Sequence, residues 1–473
     1  MDERVGLAHN SPALAVDPTE ERIVASATRR DSPDFGCALH ISGDGGSSWL
    51  PADPVPKLPD GVEKCYGPEV AFDAEGRLYF LFVGLAGAGN SPVGSFLVTS
   101  TGGRFSTPRR VLGPERYMVR MAVDQRSGRL HLVWVQAGAD PPLGGFAPGP
   151  NPIMASYSDD GGQTFSEPVQ VNEAARQRVV APAIAVGSDG AVHVAYYDLV
   201  DDSRDYQGLE GPKWENPWSL VVSGSDNGGR TFGRHTVVDD ALVPPERVML
   251  VFTMPPPSIV AGNHGEVFTA WHDARNGDWD VFLSRSPDRG GTWSAARRLN
   301  DDPKGNGRHQ YLPRLSLAPN GRLDTVFYDR RSDPQNLRND VFFTSSAPGT
   351  GGTFSPNLQI TADPSDSRIG PRYPIPSARG MVEFGSRLGL VSLDGGAVAA
   401  WTDTRNSQLE SPQQDVFATT VDLGSEPKNG SGGVSVVFVL AGAAIFVAVS
   451  TLFVRQRQSR RPAPVGAEAQ RGE

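Results

Sequence analysis

Cysteine is scarce: Cys37 and Cys65 are the only two in 473 residues. They form one bridge in an oxidising compartment or remain two thiols, and their spacing leaves both open. Clustered Lys and Arg are missing from most of the chain, and the formal net charge is −10. A nucleic-acid binder needs basic side chains gathered on one face to neutralise phosphates, so that class is excluded. The eight histidines show no ligand spacing, so neither a metal site nor a cofactor is expected. Long amphipathic helices are not evident either.

What the chain has in quantity is turn chemistry. Gly 54 and Pro 40 accompany hydrophobic residues at 38%, and the apolar runs are short and punctuated. That composition favours an all-β chain with many tight connections.

One apolar run is long. VSVVFVLAGAAIFVAVSTLFV, residues 434–454, carries no charged side chain, and as a helix its length matches the roughly 30 Å of a bilayer's hydrocarbon core. It reads as a transmembrane helix. The arginine-rich RQRQSRR follows it and the flexible SEPKNGSGG precedes it. The positive-inside rule then places the C-terminus in the cytoplasm and the preceding domain outside, at the cell membrane. MDERVGLAHN has neither the basic start nor the apolar core of a signal peptide, so the export signal is expected to lie upstream of this start.

An octapeptide recurs: SGDGGSSW at 42–49, SDDGGQTF at 158–165, SDNGGRTF at 225–232 and SPDRGGTW at 286–293. Two decayed copies end at Phe105 and Phe354, giving a period near 60 residues. Seven apolar strands recur in step, from ERIVASAT through GRLYFLFV, GRLHLVWV, GAVHVAYYD, GEVFTAWHD and GRLDTVFYD to GAVAAWTD. Before each lies a shorter strand, often opened by Pro: SPALAVDP, GPEVAFDA, VRMAVDQ, APAIAVGS, PPSIVAGN, LPRLSLAP and SRLGLVSL. The unit of strand, turn, strand, loop, strand, octapeptide turn, strand describes a four-stranded propeller blade. Seven blades are favoured, with six as the alternative. The last unit lacks its fourth strand, and ERVGLAHN at the N-terminus is expected to supply it and close the ring.

The organisation expected is a propeller over 1–423, a Gly/Ser linker over 424–433, the transmembrane helix over 434–454 and a basic cytoplasmic tail over 455–473. Within each octapeptide, Asp44, Asp160, Asn227 and Asp288 have a structural role: they accept backbone N–H groups inside a tight turn where Gly supplies positive φ.

Ser-x-Asp-x-Gly-x-Thr-aromatic on such a repeat resembles the Asp box, or bacterial neuraminidase repeat, of the sialidase-like superfamily, over nearly all of residues 1–423. The resemblance implies a propeller that acts on glycans as an exo-sialidase-like glycoside hydrolase, or a non-catalytic relative that binds glycan or protein at the cell surface. In sialidases an arginine clamp holds the substrate carboxylate, an Asp is acid/base and a Tyr paired with Glu is nucleophile. Two features depart from that pattern: the unit count is seven rather than six, and HNSPALAV stands where Arg-Ile-Pro is expected.

Asp34, or else Asp31, falls where the family's acid/base stands, and Arg29 lies beside it. The loop GPRYPIPSARGMVEFG offers Tyr373 as nucleophile with Glu383 as its partner, and Arg372 as a ligand-binding group. WHDARNGDWDVF, FYDRRSDPQNLRNDVFF and WTDTRNSQLESPQQDVF place Arg275, Arg331 and Arg405 each between two carboxylates. Those three read as an anion-binding rim or as braces within their own loops.

Overall fold

The computed structural model describes residues 8–32, 34–52, 57–88, 90–136, 150–200, 216–244, 255–349, 352–371, 382–407, 413–424 and the strand 436–441. Among them there is no helix, and the thirty strands form seven sheets. Blade 1 comprises β1 (Ala8–Val16), β2 (Val24–Ser32), β3 (Gly36–Ser42) and β4 (Leu50–Pro51), paired in that order and antiparallel. Blade 2 has β5 (Lys64–Phe72), β6 (Leu78–Ala86), β7 (Ser91–Thr101) and β8 (Arg104–Phe105), with β9 (Arg109–Leu112) also on β7. Blade 3 runs β10 (Arg116–Val123) to β13 (Val169–Gln170), and blade 4 runs β14 (Val179–Val186) to β17 (Arg234–Leu242). Blade 5 runs β18 (Ser258–Ala261) to β21 (Arg297–Arg298). Blade 6 runs β22 (Gln310–Leu317) to β25 (Leu358–Gln359), with β26 (Ser365–Asp366) added. Blade 7 holds β27 (Gly389–Leu393), β28 (Gly396–Asp403), β29 (Asp415–Asp422) and β30 (Val436–Ala441). The chain is a seven-bladed β-propeller, and the six-bladed alternative falls away.

The closing strand differs from expectation. Residues 1–7 lie outside the described residues, and the chain enters as β1, the innermost strand of blade 1, bridged to blade 7 by His9 N donating to Gln414 O at 2.8 Å. The fourth strand of blade 7 is β30, drawn from the apolar run read above as a bilayer span. A β-branched sequence such as VVFVLA suits a sheet as well as it suits a membrane helix, so hydrophobicity alone does not separate the two. The remainder of 434–454, the linker from 425 on and the tail lie outside the described residues. No helix among the described residues is long and apolar enough to cross a membrane.

Seven apolar clusters, one per junction between neighbouring blades, make up the core. Second strands such as β15 (Val192–Asp198) are buried along their whole length because both sheet faces press on a neighbour. The junction between blades 7 and 1 has the smallest cluster, mostly valines and alanines around Leu14, Val24, Val398 and Val416. Cys37 on β3 and Cys65 on β5 are bridged, joining blades 1 and 2. Closing a loop of 28 residues restricts the unfolded chain by about 3–4 kcal/mol.

The octapeptide turns join third to fourth strands and bond to themselves. In blade 3, Ser158 Oγ donates to Asp160 Oδ1 at 2.7 Å and accepts Gly162 N at 2.8 Å, while Thr164 Oγ1 donates to Asp160 Oδ2 at 2.6 Å. Asp288 and Asp44 repeat the pattern, and Asn227 replaces the carboxylate with an amide that donates to Thr231 Oγ1. The Thr164 hydroxyl and N–H hold Asp160 well below the usual carboxylate range, and the Thr292 N–H holds Asp288 at about 2. These carboxylates are committed acceptors with no proton to trade.

The fifth residue of each full octapeptide, a glycine in all four, docks on the preceding blade. A Cβ on Gly162, at φ +84°, would lie 2.3 Å from Leu97 Cδ2, and one on Gly46 would lie 2.7 Å from Val398 Cγ1. His131 and His193 are buried against Gly229 and Gly290, and burial pushes both imidazoles down to about 4. Gly162→Ala is therefore expected to cost about 2 kcal/mol, from positive φ and overpacking together. Urea unfolding measures this, and a loss no larger than that of an Ala substitution at a turn-tip glycine with open space, such as Gly102, would contradict the docking.

Candidate functional site

First strands begin, and second strands end, on the face opposite the octapeptide turns, and there the central channel opens. Five first strands carry the same irregularity close to that mouth. A residue with positive φ (Ser11 52°, Gly67 56°, Met118 52°, Ala181 56°, Leu312 53°) interrupts the ladder, and pairing resumes two residues later. Such a bulge re-aims the following side chain. In four of the five the intervening residue is proline (Pro12, Pro68, Pro182, Pro313), which lacks the N–H that the ladder would have left unused.

The positions after the bulge form a register column. Ala13, Glu69, Arg120, Ala183, Ser258, Arg314 and Gly389 each pair with the corresponding residue of their second strand. Four of these seven are small, so the ring is lopsided. Glu69, Arg120 and Arg314, joined by Arg387 from just before β27, surround a cavity of about 80 Å³ whose remaining wall includes Ala183 and Ser258.

Glu69 Oε1 accepts Arg120 Nη1 at 2.8 Å and also accepts Arg387 Nη1. Arg387 is saturated further by the carbonyls of Ser11 and Pro68. Arg314 is different: its Nε is out of contact with solvent and has no hydrogen-bond partner, as has Arg120 Nε. Burial lowers Arg314, and it lowers Arg387 to about 10. Although burial works against it, the Arg387 and Arg120 guanidiniums hold Glu69 below the usual carboxylate range. Three guanidiniums against one carboxylate leave two net positive charges facing a small space.

A second lobe shares Arg120, Ser386 and Arg387 with the first and adds Arg29 and Tyr66. Arg29, 2% exposed, is the hub of a buried polar seam between blades 1 and 7. Its Nη2 donates to Asp31 Oδ2 at 2.8 Å and to Glu383 Oε1 at 2.6 Å, its Nε meets Asp31 Oδ1 at 2.7 Å, and its Nη1 donates to Tyr66 Oη at 2.6 Å. Asn10 Nδ2 adds bonds to Asp31 and Gln414, and Gln414 Nε2 donates to the Glu383 carbonyl. Two carboxylates thus share one guanidinium out of reach of water. Burial, with Asp31 alongside, raises Glu383 to about 7 despite Arg29, and Glu383 Oε2 has no hydrogen-bond partner.

Among the residues expected from the sequence, Arg29 and Glu383 come together and Asp31 joins them. Glu383 is wholly buried behind Arg29 and does not line either lobe. Asp34 is exposed and ion-paired with Lys64 Nζ at 3.2 Å, outside both lobes. Tyr373 and Arg372 lie outside the described residues. Arg275, Arg331 and Arg405 line neither lobe and instead bridge neighbouring blades. Each pairs with the Asp two residues before it (2.6, 2.7 and 2.6 Å) and covers a phenylalanine of its blade's third strand, Phe282, Phe342 or Phe417. Asp239, Asp301 and Asp363 complete the three pairs, so these arginines are braces that do not converge.

The residues that do converge, Glu69, Arg120, Arg314 and Arg387, are absent from the sequence expectations. A signal existed in the aligned first strands, where the residue after the proline or its equivalent is Ala, Glu, Arg, Ala, Ser and Arg in turn. Charged residues at a position that is otherwise small mark the channel wall. Among the described residues no group of three or more His, Cys, Asp or Glu could hold a metal ion.

No protein-family model matches the chain, and no curated protein matches it in sequence. Among solved structures, a Hadza microbial sialidase is similar at 14% identity and TM-score 0.45, over 81% of this chain and 72% of that one. The endosialidase of phage phi92 is similar at 13% identity and TM-score 0.48, over 99% of this chain and 79% of that one. A protein of unknown function from Dyadobacter fermentans is similar at 13% identity and TM-score 0.47, over 88% of this chain and 95% of that one. The seven-bladed fold stands on the strand pairing described above, independently of these likenesses.

Proposed function

We propose that this chain takes the carboxylate of an anionic glycan into the channel-mouth pocket and acts on that glycan as a sialidase-like glycoside hydrolase. One observation carries the reading: guanidiniums from blades 3, 6 and 7 converge on one cavity with a single carboxylate among them. Guanidinium is a planar fork matched to carboxylate, and in a site screened from water each such bond is strong. Arg314 lines the cavity while Arg120 and Arg387 are paired with Glu69, so it is the guanidinium left for the ligand.

A second reading, a propeller that binds the same glycan without cleaving it, draws on Glu383. Expected as the partner of a nucleophilic Tyr373, it is instead buried against Arg29 and lines neither lobe.

The test uses the full chain. Binding of a sialylated glycan and release of a fluorogenic aglycone from a sialoside are measured for the wild type, Arg314→Ala and Tyr373→Phe. Arg314→Ala is expected to weaken binding on the order of a hundredfold, with turnover falling in proportion. Turnover lost in Tyr373→Phe with binding intact supports the hydrolase. Binding without turnover in the wild type assigns the non-catalytic reading, and binding unaffected by Arg314→Ala overturns both.

The placement proposed is at the cell membrane, with the 434–454 run as anchor and the propeller outside. A strand and a bilayer helix exclude each other at Val436–Ala441. The full chain is expected to stay with membranes after alkaline carbonate and to leave them when 434–454 is deleted. Extraction of the intact chain by carbonate would instead assign that segment to blade 7.

A further inference from the structure

The ring of charge is one carboxylate short of a plain cationic pocket, and that carboxylate has a use. Glu69 stands in the same register column as Arg120 and Arg314, takes a hydrogen bond from Arg120 and another from Arg387, and lines the same cavity as all three arginines. It occupies the wall where the convergent donors of Arg120 and Arg387 would otherwise be offered to a ligand.

We infer that Glu69 is the specificity determinant of this pocket, holding it to sugars with a single negative charge, such as carboxylated sugars, and against dianions such as phosphomonoesters. The inference rests on the anion-binding reading above and deepens it.

The physical argument is one of scaling. The attraction of a ligand to a fixed potential grows linearly with its charge, whereas the cost of stripping water from it grows roughly as the square of that charge. With three guanidiniums and no carboxylate the potential would be high enough for the linear term to carry a dianion in. One buried carboxylate, bonded to two of the three, lowers the potential by about one unit charge at close range. A monoanion still gains from Arg314. A dianion loses twice as much attraction and also comes up against the Glu69 carboxylate. On the rest of the wall Ala183 offers no donor, and the hydroxyls of Ser258, whose oxygen accepts Leu315 N at 2.9 Å, and of Ser386 carry no charge to offset that of Glu69.

A quantitative signature follows. Removing one fixed charge changes the binding free energy in proportion to ligand charge, so the fold-gain of a dianion is about the square of the fold-gain of a monoanion.

Calorimetric titration of the full chain with D-glucuronate and with glucose 6-phosphate at pH 8, where the phosphate is doubly charged, reads this directly. The wild type is expected to prefer glucuronate by about tenfold or more. Glu69→Gln is expected to improve both ligands, glucose 6-phosphate by about the square of the glucuronate gain, with the preference narrowing or reversing. Ala183→Asp, which adds a carboxylate to the same cavity wall without touching the Glu69 pairs, is expected to do the opposite by the same square law, and it serves if Glu69→Gln does not fold. A ratio unchanged in both variants, or a wild type that prefers the phosphate, overturns the role of Glu69 while leaving the anion site standing. Arg314→Ala separates the two failures: if it leaves glucuronate binding untouched, the anion-site reading itself falls.

Discussion

Arg29→Met is expected to cost the folded chain about 3–5 kcal/mol, or to prevent ring closure altogether. The side chain keeps its bulk, so the loss is electrostatic: Asp31 and Glu383, both fully buried, would face each other with no cation between them. The junction concerned is the one between first and last blades, where the apolar cluster is smallest, so packing has little with which to compensate. Asn10 and Gln414 are already committed to the same groups. Denaturant unfolding measures the loss. The decisive comparison adds Asp31→Asn and Glu383→Gln to Arg29→Met, because removing all three charges should recover most of what removing one destroys. If the triple variant is no more stable than the single, the seam's contribution is steric and the electrostatic account is wrong.

The second large effect is a pH dependence of unusual sign for a carboxylate. Glu383 has its ordinary value near 4.5 when the chain is unfolded and about 7 when folded. Between those values the folded state holds a proton that the unfolded state has released, so raising the pH favours unfolding. The stabilisation is complete below about 4.5 and is lost as pH rises to about 7, amounting to something on the order of 3 kcal/mol. The groups facing Glu383 are Arg29 and Asp31 on β2, with the Gly385 N–H from its own segment. Glu383→Gln is expected to match the wild type near pH 5 and to exceed it at pH 8, with the slope from this group gone. Chemical denaturation at a series of pH values reads this, and an identical slope in the variant would assign the dependence to another residue.

The fold was legible because its signals repeat. The octapeptides fix where third strands end, the Gly-led apolar strands fix the second strands, and their agreement in period identifies blades without any three-dimensional information. The ring closure was less legible. ERVGLAHN and VVFVLA both have strand-like character, and a run of apolar β-branched residues is equally consistent with a sheet edge and with a bilayer. The site was legible only in part. Arg29 and Glu383 were selected for their sequence neighbourhoods and prove to touch across 354 positions. Glu69, Arg120 and Arg314 were hidden because each sits among apolar residues of a different strand, and Arg387 because it lies just before one. The common register of the first three becomes visible only when the first strands are stacked around an axis. Arg275, Arg331 and Arg405 drew attention for the opposite reason: their motif is local and repeated, which is what a brace recurring at successive blade junctions looks like.

The docking of octapeptide turns onto preceding blades has a consequence for how the ring fails. Turns in blades 1, 3, 4 and 5 each clasp the neighbour before them, at Val398, Leu97, His131 and His193. Among the described residues the other three junctions show no such clasp; in the sequence the turns of blades 2 and 6 are shortened copies and the segment before β30 carries no octapeptide. Other links span these three junctions, as the Arg275–Asp239 pair also does at the clasped junction of blades 4 and 5. Blades 1 and 2 are joined covalently by Cys37 and Cys65, and blades 5 and 6 by Arg331 reaching Asp301. Blades 6 and 7 are joined by Arg322 donating to the carbonyls of Leu393 and Gly396 and by Tyr328 bonded to Thr402. A closed ring is a hoop of seven rivets, and a hoop opens at its weakest one whatever the strength of the rest. In a reducing environment the seam between blades 1 and 2 would be the first to lose its rivet.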